Sequence, residues 1–284
     1  LGAAGWRFYG ITTSDDPARE RHLRREFERH GVALDVHVGE RAAEADGFSS
    51  PGLRGCFEGH LACLRKARRD GARVAVIAED DVVVSRAFWR SVGSLASWLD
   101  EREWTLLHLG YLEHQSPARF DRVTSVDGPV AVGDGWELQG SHFYAVSAAG
   151  LDALIEDFER RLLPGGHRIA PDGVLNEFRR DHGLPMWLTL PNLAAQAPFV
   201  SGISPNGGRK EAILRKAPVA RVLGMQRRLA QALATTIPSS IAVRRWNRRV
   251  ERHRAPRRPK PWAALVVPAV EVEPLAYLGA SLTG

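Results

Sequence analysis

The chain has 284 residues, 44% hydrophobic and 25% charged, which is enough to bury a large core and too apolar for a disordered chain. Its net charge of +6 is unevenly placed: residues 209–260 carry sixteen Lys/Arg against only Glu211 and Glu251, a local +14, leaving −8 for the rest. No apolar run approaches the ~18–20 residues that span a bilayer, and the N-terminus lacks the basic-then-apolar pattern of a secretory signal.

In chain order, Arg7–Ile11 reads as a short strand. Pro17 opens an Arg-rich helix with Leu23 and Phe27 on its apolar side, and His30-Gly31 stops it. Val32–Val38 alternates as a strand does, and residues 39–52 form a loop. Leu53–Asp70 is a helix with Phe57, Leu61 and Leu64 on one stripe. Cys56 and Cys63 lie seven residues apart on it, about 10.5 Å along the axis, beyond the ~7 Å Cα limit of a disulfide, so free thiols and a reducing compartment are expected.

Arg73–Ala78 is an apolar run typical of a strand buried on both faces; Glu79-Asp80-Asp81 closes it and Val82–Val84 continues extended. Ser85 caps a helix built on Phe88, Val92, Leu95 and Leu99. Trp104–Leu109 is a strand, residues 113–135 a loop or edge hairpin, and Ser141–Val146 a strand. Ser147 caps a helix to about Leu162, Asp172–His182 is a short helix, and Met186–Leu190 is a strand ended by Pro191. Strands alternating with helices predict a mostly parallel sheet with helices on both faces. The pattern fades after residue 208, which divides the chain into a domain of residues 1–208 and a basic, partly helical or disordered extension of residues 209–284.

The acidic triplet carries the chemistry. Three adjacent carboxylates at the end of an apolar strand repel one another and call for a counter-ion. A hard divalent cation, Mg²⁺ or Mn²⁺, suits oxygen ligands shared with a substrate diphosphate. Ligands of open α/β sheets bind beyond the carboxyl ends of strands, where the triplet falls. Alternation along extended chain sends Glu79 and Asp81 one way and Asp80 the other. Asp81 is the expected metal ligand, Glu79 a contact to the metal or the nucleoside, and Asp80 a holder of the turn or of a ribose hydroxyl. The plainer alternative is a solvated acidic turn.

The residues around the triplet sharpen this. Pro51 to His60 (PGLRGCFEGH), Leu64 and Ala75 to Val82 (AVIAEDDV) resemble glycosyltransferase family 25, which includes lipooligosaccharide and collagen galactosyltransferases. Ile11 through Pro17 and Arg19 resemble its opening strand and Pro-x-Arg helix start. Gly140 to Ser147 with Gly150, Pro171-Asp172, and Pro191 to Gln196 with Ser201-Gly-Ile203 resemble its later elements, so the likeness runs over residues 7–204. It implies a GT-A type, Rossmann-like α/β fold, a UDP-sugar donor (often UDP-galactose), a divalent metal, and inversion at the anomeric carbon. It also implies donor contacts from Arg19, His60 and Gln196. Two positions depart from the pattern: Thr12-Thr13-Ser14-Asp15 replaces Asn-Leu-Asp-Arg, and Gly59 replaces Ser.

Inversion needs one general base, and Asp172 at a loop-to-helix junction is the candidate; the alternative is a helix N-cap. His60 shares a helix face with Cys56 and Cys63, but that spacing matches no usual zinc pattern, and a buried, hydrogen-bonded His is the expected state. Gln196 reads either as a donor contact or as a loop amide. His142 and Tyr144 fall on one side of their strand and either line an acceptor cleft or pack. Trp104 and Trp136 stack on sugar or belong to the core.

In the extension, Val219–Ala234 fits a basic amphipathic helix, and Arg244–Arg249 sets Trp246 in a basic run. This reads as attachment to an anionic membrane surface, ahead of nucleic acid, for which there is no recognition module. The expectation is a cytoplasmic, peripheral inner-membrane enzyme moving a hexose to a glycan or glycolipid such as lipopolysaccharide core. The competing classes are a catalytically inactive sugar- or nucleotide-binding protein and a basic tether acting through residues 209–260.

Overall fold

A computed structural model describes residues 5–112, 125–127, 130–133, 137–190, 192–197 and 248. The proposed extension, Trp136 and the Ser201-Gly-Ile203 segment therefore lie outside the described residues, apart from Arg248.

The elements run β1 (Trp6–Thr13), α1 (Pro17–Glu28), β2 (Leu34–Gly39), α2 (Pro51–Arg69), β3 (Val74–Glu79), β4 (Val82–Val84) and α3 (Arg86–Asp100). They continue with β5 (Leu106–Gly110), β6 (Ser125–Asp127), β7 (Val130–Gly133), β8 (Phe143–Ser147), α4 (Ala148–Leu162), α5 (Pro171–Asp181), β9 (Met186–Thr189) and β10 (Ala194–Gln196). Helix starts follow local chemistry. Asp16 accepts from the N–H groups of Ala18 and Arg19 with Pro17 just inside α1, and Ser50 and Ser85 cap α2 and α3 through the N–H groups of Leu53 and Phe88. Ser147 precedes α4 but does not cap it through its side chain, because its Oγ donates to the Trp104 carbonyl at 2.7 Å.

One sheet holds the strands in the order β2-β1-β3-β8-β5-β9-β7-β6. β2, β1 and β3 are mutually parallel, as are β5 and β9, so the expected α/β sheet rich in parallel strands and flanked by helices is found. β8 runs antiparallel between β3 and β5, and the β6–β7 hairpin closes the far edge. β10 joins β4 antiparallel and touches β5 at Ala194 and Gly110. A strand at residues 194–196 was not expected: three residues carry no alternation to read, and pairing with β4, more than a hundred positions earlier, creates it.

Each face of the sheet has its own core. Phe57, Leu61, Leu64, Leu151, Leu154, Phe158 and Phe178 of α2, α4 and α5 pack on one, against Tyr9, Ala75, Ile77 and Tyr144. Leu23, Phe27, Phe88, Val92 and Leu95 of α1 and α3 pack on the other, against Trp6, Val74, Val76 and Phe143. The alternation of β3 is thus read by two helical layers, and it decides where the acidic triplet points.

Candidate functional site

The triplet sits on the rim where β3 ends. Continuing the alternation, Glu79 projects toward α2 and Asp80 toward α1. The antiparallel β8 begins at this same rim, so Ser141 and His142 come beside Glu79, whose backbone N–H donates to the His142 carbonyl at 3.0 Å. A parallel strand in that slot would have started at the opposite rim.

Asp80 is committed on both oxygens. Thr12 Oγ1 donates to Oδ2 at 3.0 Å, and Arg19 donates to Oδ1 through Nε at 2.8 Å and through Nη2. Burial pushes the Asp80 carboxyl above its ordinary range despite these donors, and the carboxylates in turn hold the Arg19 guanidinium firmly charged against its own burial. The structure therefore places Arg19 as a counter-ion within the triplet, and Thr12, at one of the positions that depart from the family pattern, as a clamp on Asp80.

Glu79 Oε1 accepts from Ser141 Oγ at 2.7 Å. His60 Nε2 lies 3.4 Å from the same oxygen, close enough for charge coupling but outside good hydrogen-bond alignment, while His60 Nδ1 meets the Tyr144 hydroxyl at 3.0 Å. Burial alone would raise Glu79, but His60 and Ser141 outweigh it and hold the carboxyl low, at about 2.

Asp81 is the exception. The chain turns at residues 80–81, and the Asp81 carbonyl accepts from the Ala197 N–H. Its Oδ2 is 3.7 Å from Arg19 Nη2, and its buried Oδ1 has no partner among the described residues. Burial, then the neighbouring Glu79 charge, push Asp81 from 3.8 up to about 8. Within the pair, Glu79 holds the charge and Asp81 the proton. The three side chains are only 13%, 9% and 16% exposed, so the solvated acidic turn does not describe them.

Asp172 occupies the first turn of α5, where Ala170 is the N-cap. Its Oδ2 accepts from the Gly140 N–H and its Oδ1 from the Gly173 N–H, both at 2.9 Å, tying α5 to the segment that leads into β8. Burial raises its pKa above the ordinary value against those two bonds, and the Glu79 charge adds to the rise. Gln196 ends β10 opposite Val82, one residue beyond Asp81. Tyr144 is buried and partners His60; His142, also buried, lies at the Glu79 rim. Trp104 lies at the other end of the sheet, with a cavity of about 660 Å³ that it lines together with Arg73, Arg102, Ser147 and Trp187. Three of its polar groups are engaged elsewhere: Arg73 with Asp100, Arg102 with the Trp98 carbonyl, and Ser147 with the Trp104 carbonyl. We therefore place the candidate site at the acidic rim.

Glu79, Asp80, Asp81, Arg19, His60 and Asp172 are thus brought to one region. Thr12, Ser141 and Cys56 belong to it as well, and only the register of β1, β3 and β8 and the placement of α2 put them there.

No family model and no curated protein matches the sequence. Solved structures with some likeness include a Bacillus anthracis protein described as a glucose-1-phosphate thymidylyltransferase, in complex with sucrose (13% identity, 81% of this chain and 76% of that one, TM-score 0.41). Another is mannose-1-phosphate geranyltransferase from Thermus thermophilus (11% identity, 64% and 73%, TM-score 0.34). A third is a glycosyltransferase involved in glycosylation of the major capsid of PBCV-1 (10% identity, 65% and 93%, TM-score 0.34). At these values the likenesses carry no argument about what the chain does; the site's own chemistry has to.

Proposed function

We propose that the chain is an inverting, metal-dependent glycosyltransferase of GT-A type that uses a nucleotide-diphosphate sugar, in the manner of the family-25 enzymes its motifs resemble. The observation that carries the reading is Asp81: a mostly buried carboxylate with an oxygen that has no partner among the described residues, next to the charged Glu79 at the carboxyl end of a buried strand. Arg19 offsets part of the charge from the Asp80 side. A hard divalent ion, Mn²⁺ or Mg²⁺, fits the remaining all-oxygen donor set of Asp81 and Glu79. When bound, such an ion would neutralise charge developing on the leaving diphosphate.

The protein's own groups supply the rest. Arg19 and Thr12 hold Asp80 and with it the turn that presents Asp81. Ser141 and His60 keep Glu79 ionised and oriented. Asp172, its pKa raised and its carboxylate anchored by two N–H groups, takes the proton of the acceptor hydroxyl. The acceptor oxygen then bonds to the anomeric carbon, and the bond to the diphosphate breaks with its electron pair leaving on the nucleotide. The donor in this reading is a UDP-sugar, with galactose the sugar the resemblance points to, and the acceptor a glycan or glycolipid such as lipopolysaccharide core. Residues 209–260, with their local +14, would serve attachment to an anionic surface at about 1 kcal/mol per basic residue. No helix among the described residues is long and apolar enough to cross a membrane.

The test is a panel of UDP-sugars with Mn²⁺ or EDTA, read as UDP release and as thermal stabilisation. The reading expects Mn²⁺-dependent release, lost in Asp81→Ala. No release and no Mn²⁺-dependent stabilisation by any donor overturns it; stabilisation without release places the chain among inactive nucleotide-sugar binders.

A further inference from the structure

Cys56, His60 and Glu79 converge where α2 meets the end of β3, and the transfer proposed above makes no use of the Cys56 thiol. Cys56 and His60 are one helical turn apart, so they share a face of α2. One ligand atom from each of the three residues lies within 4.8 Å of the others. A tetrahedral ion with metal–ligand bonds of about 2.0–2.3 Å spaces its ligands about 3.3–3.8 Å apart, so side-chain movements of roughly 1 Å would close the set.

The imidazole points to what belongs there. His60 is wholly buried, and its Nε2 has no well-aligned hydrogen-bond partner among the described residues. Nδ1 is engaged with the Tyr144 hydroxyl at 3.0 Å, and the two rings stack with centroids 5.7 Å apart. This is how a metal-ligating histidine is oriented through its distal nitrogen. Nε2 faces Glu79 Oε1 at 3.4 Å, so that one bound cation can be shared between the imidazole and the carboxylate. Cys56 is a free, half-buried thiol. Cys63 takes no part: its Sγ lies 3.7 Å from the Gly10 carbonyl.

We propose that Cys56 Sγ, His60 Nε2 and a Glu79 oxygen bind a borderline-soft divalent ion of the Zn²⁺ class. The thiolate–imidazole–carboxylate set disfavours Mg²⁺ and Mn²⁺ and leaves a fourth position open. On binding, the Cys56 thiol releases its proton to solvent and the thiolate becomes the ligand. The site stands without the glycosyltransferase reading. If that reading also holds, the shared Glu79 makes Zn²⁺ an antagonist of the hard ion at Asp81.

The experiment titrates the reduced, metal-free full chain with Co²⁺ as a spectroscopic probe. A thiolate-to-cobalt band in the near ultraviolet should saturate at one equivalent and vanish on adding Zn²⁺. It should be lost in Cys56→Ala, persist in Cys63→Ala, and need about tenfold or more additional Co²⁺ in Glu79→Gln. Asp81→Asn should keep the band, so that failure of the donor-metal reading and failure of this one are told apart. The proposal is overturned by a folded wild type without the band, or by a band that survives Cys56→Ala. Should Cys56→Ala not fold, a Glu79→Gln titration identical to wild type overturns it equally.

Discussion

Replacing Asp81 by Asn tests the electrostatic core of the site. In the metal-free protein, Asp81 titrates at about 8 when folded and near its ordinary 3.8 when unfolded. The folded state therefore holds a proton that the unfolded state has lost. A group with a raised carboxyl pKa costs nothing below the unfolded value; its cost grows as pH rises and levels off above the folded value. At pH 7 the interval from the unfolded pKa is about three units, an upper bound of about 4 kcal/mol at 1.36 kcal/mol per unit. Local relaxation and water entry reduce this, so Asp81→Asn should stabilise the EDTA-treated protein by about 1–3 kcal/mol at pH 7 and by well under 1 kcal/mol at pH 4. Added Mn²⁺ should reverse the ranking: at one hundred times its Kd it stabilises the wild type by about 2.7 kcal/mol and the variant by much less. Urea unfolding at both pH values, with EDTA and with Mn²⁺, measures all four quantities. If Asp81→Asn destabilises the metal-free protein at pH 7, the carboxylate has a favourable partner and the reasoning fails.

Three further expectations follow from named contacts. A Cβ at Gly59 would lie 2.6 Å from Ile11 Cγ2, so Gly59→Ser should cost about 1–3 kcal/mol in urea unfolding, with the cost shrinking in an Ile11→Ala background. Burial, then the nearby Arg179 charge, depress His108 to about 3. Its contribution is intact above pH ~6.5 and is lost as pH falls toward 3, by about 1.4 kcal/mol per pH unit, so His108→Leu should remove roughly 2 kcal/mol of the loss between pH 7 and pH 5. Asp172→Asn should lower transfer by about a hundredfold or more with donor affinity retained, and cost about 1–2 kcal/mol because its NH₂ faces one of the two N–H groups that Asp172 now accepts; unchanged turnover would remove Asp172 from the mechanism.

Most elements were legible because their signals are local. Pro17, Ser50-Pro51 and Ser85 mark helix starts through backbone geometry and capping, and Gly31, Gly71 and Gly183 adopt the positive φ that ends a helix. The all-apolar run Val74–Ala78 announced a strand covered on both faces, which the two cores bear out. Boundaries moved by a residue or two. The failed Ser147 cap and the unread β10 share a cause: each depends on a backbone partner far away in sequence.

The sequence by itself determined that an apolar strand ends in three carboxylates and that Cys56, His60 and Asp172 stand near helix starts or on helix faces. Only the tertiary structure decided which carboxylate goes to which partner. Asp80 fell to Arg19 and Thr12 on the α1 side, Glu79 to Ser141 and His60 on the α2 side, and Asp81 kept an oxygen with no partner among the described residues. The reason is that residue type and the period of two set the faces of β3, whereas the antiparallel insertion of β8 and the packing of α1 and α2 set what waits on each face. Apart from His60 with Glu79, those contacts join residues about sixty or more positions apart, and no local pattern encodes them.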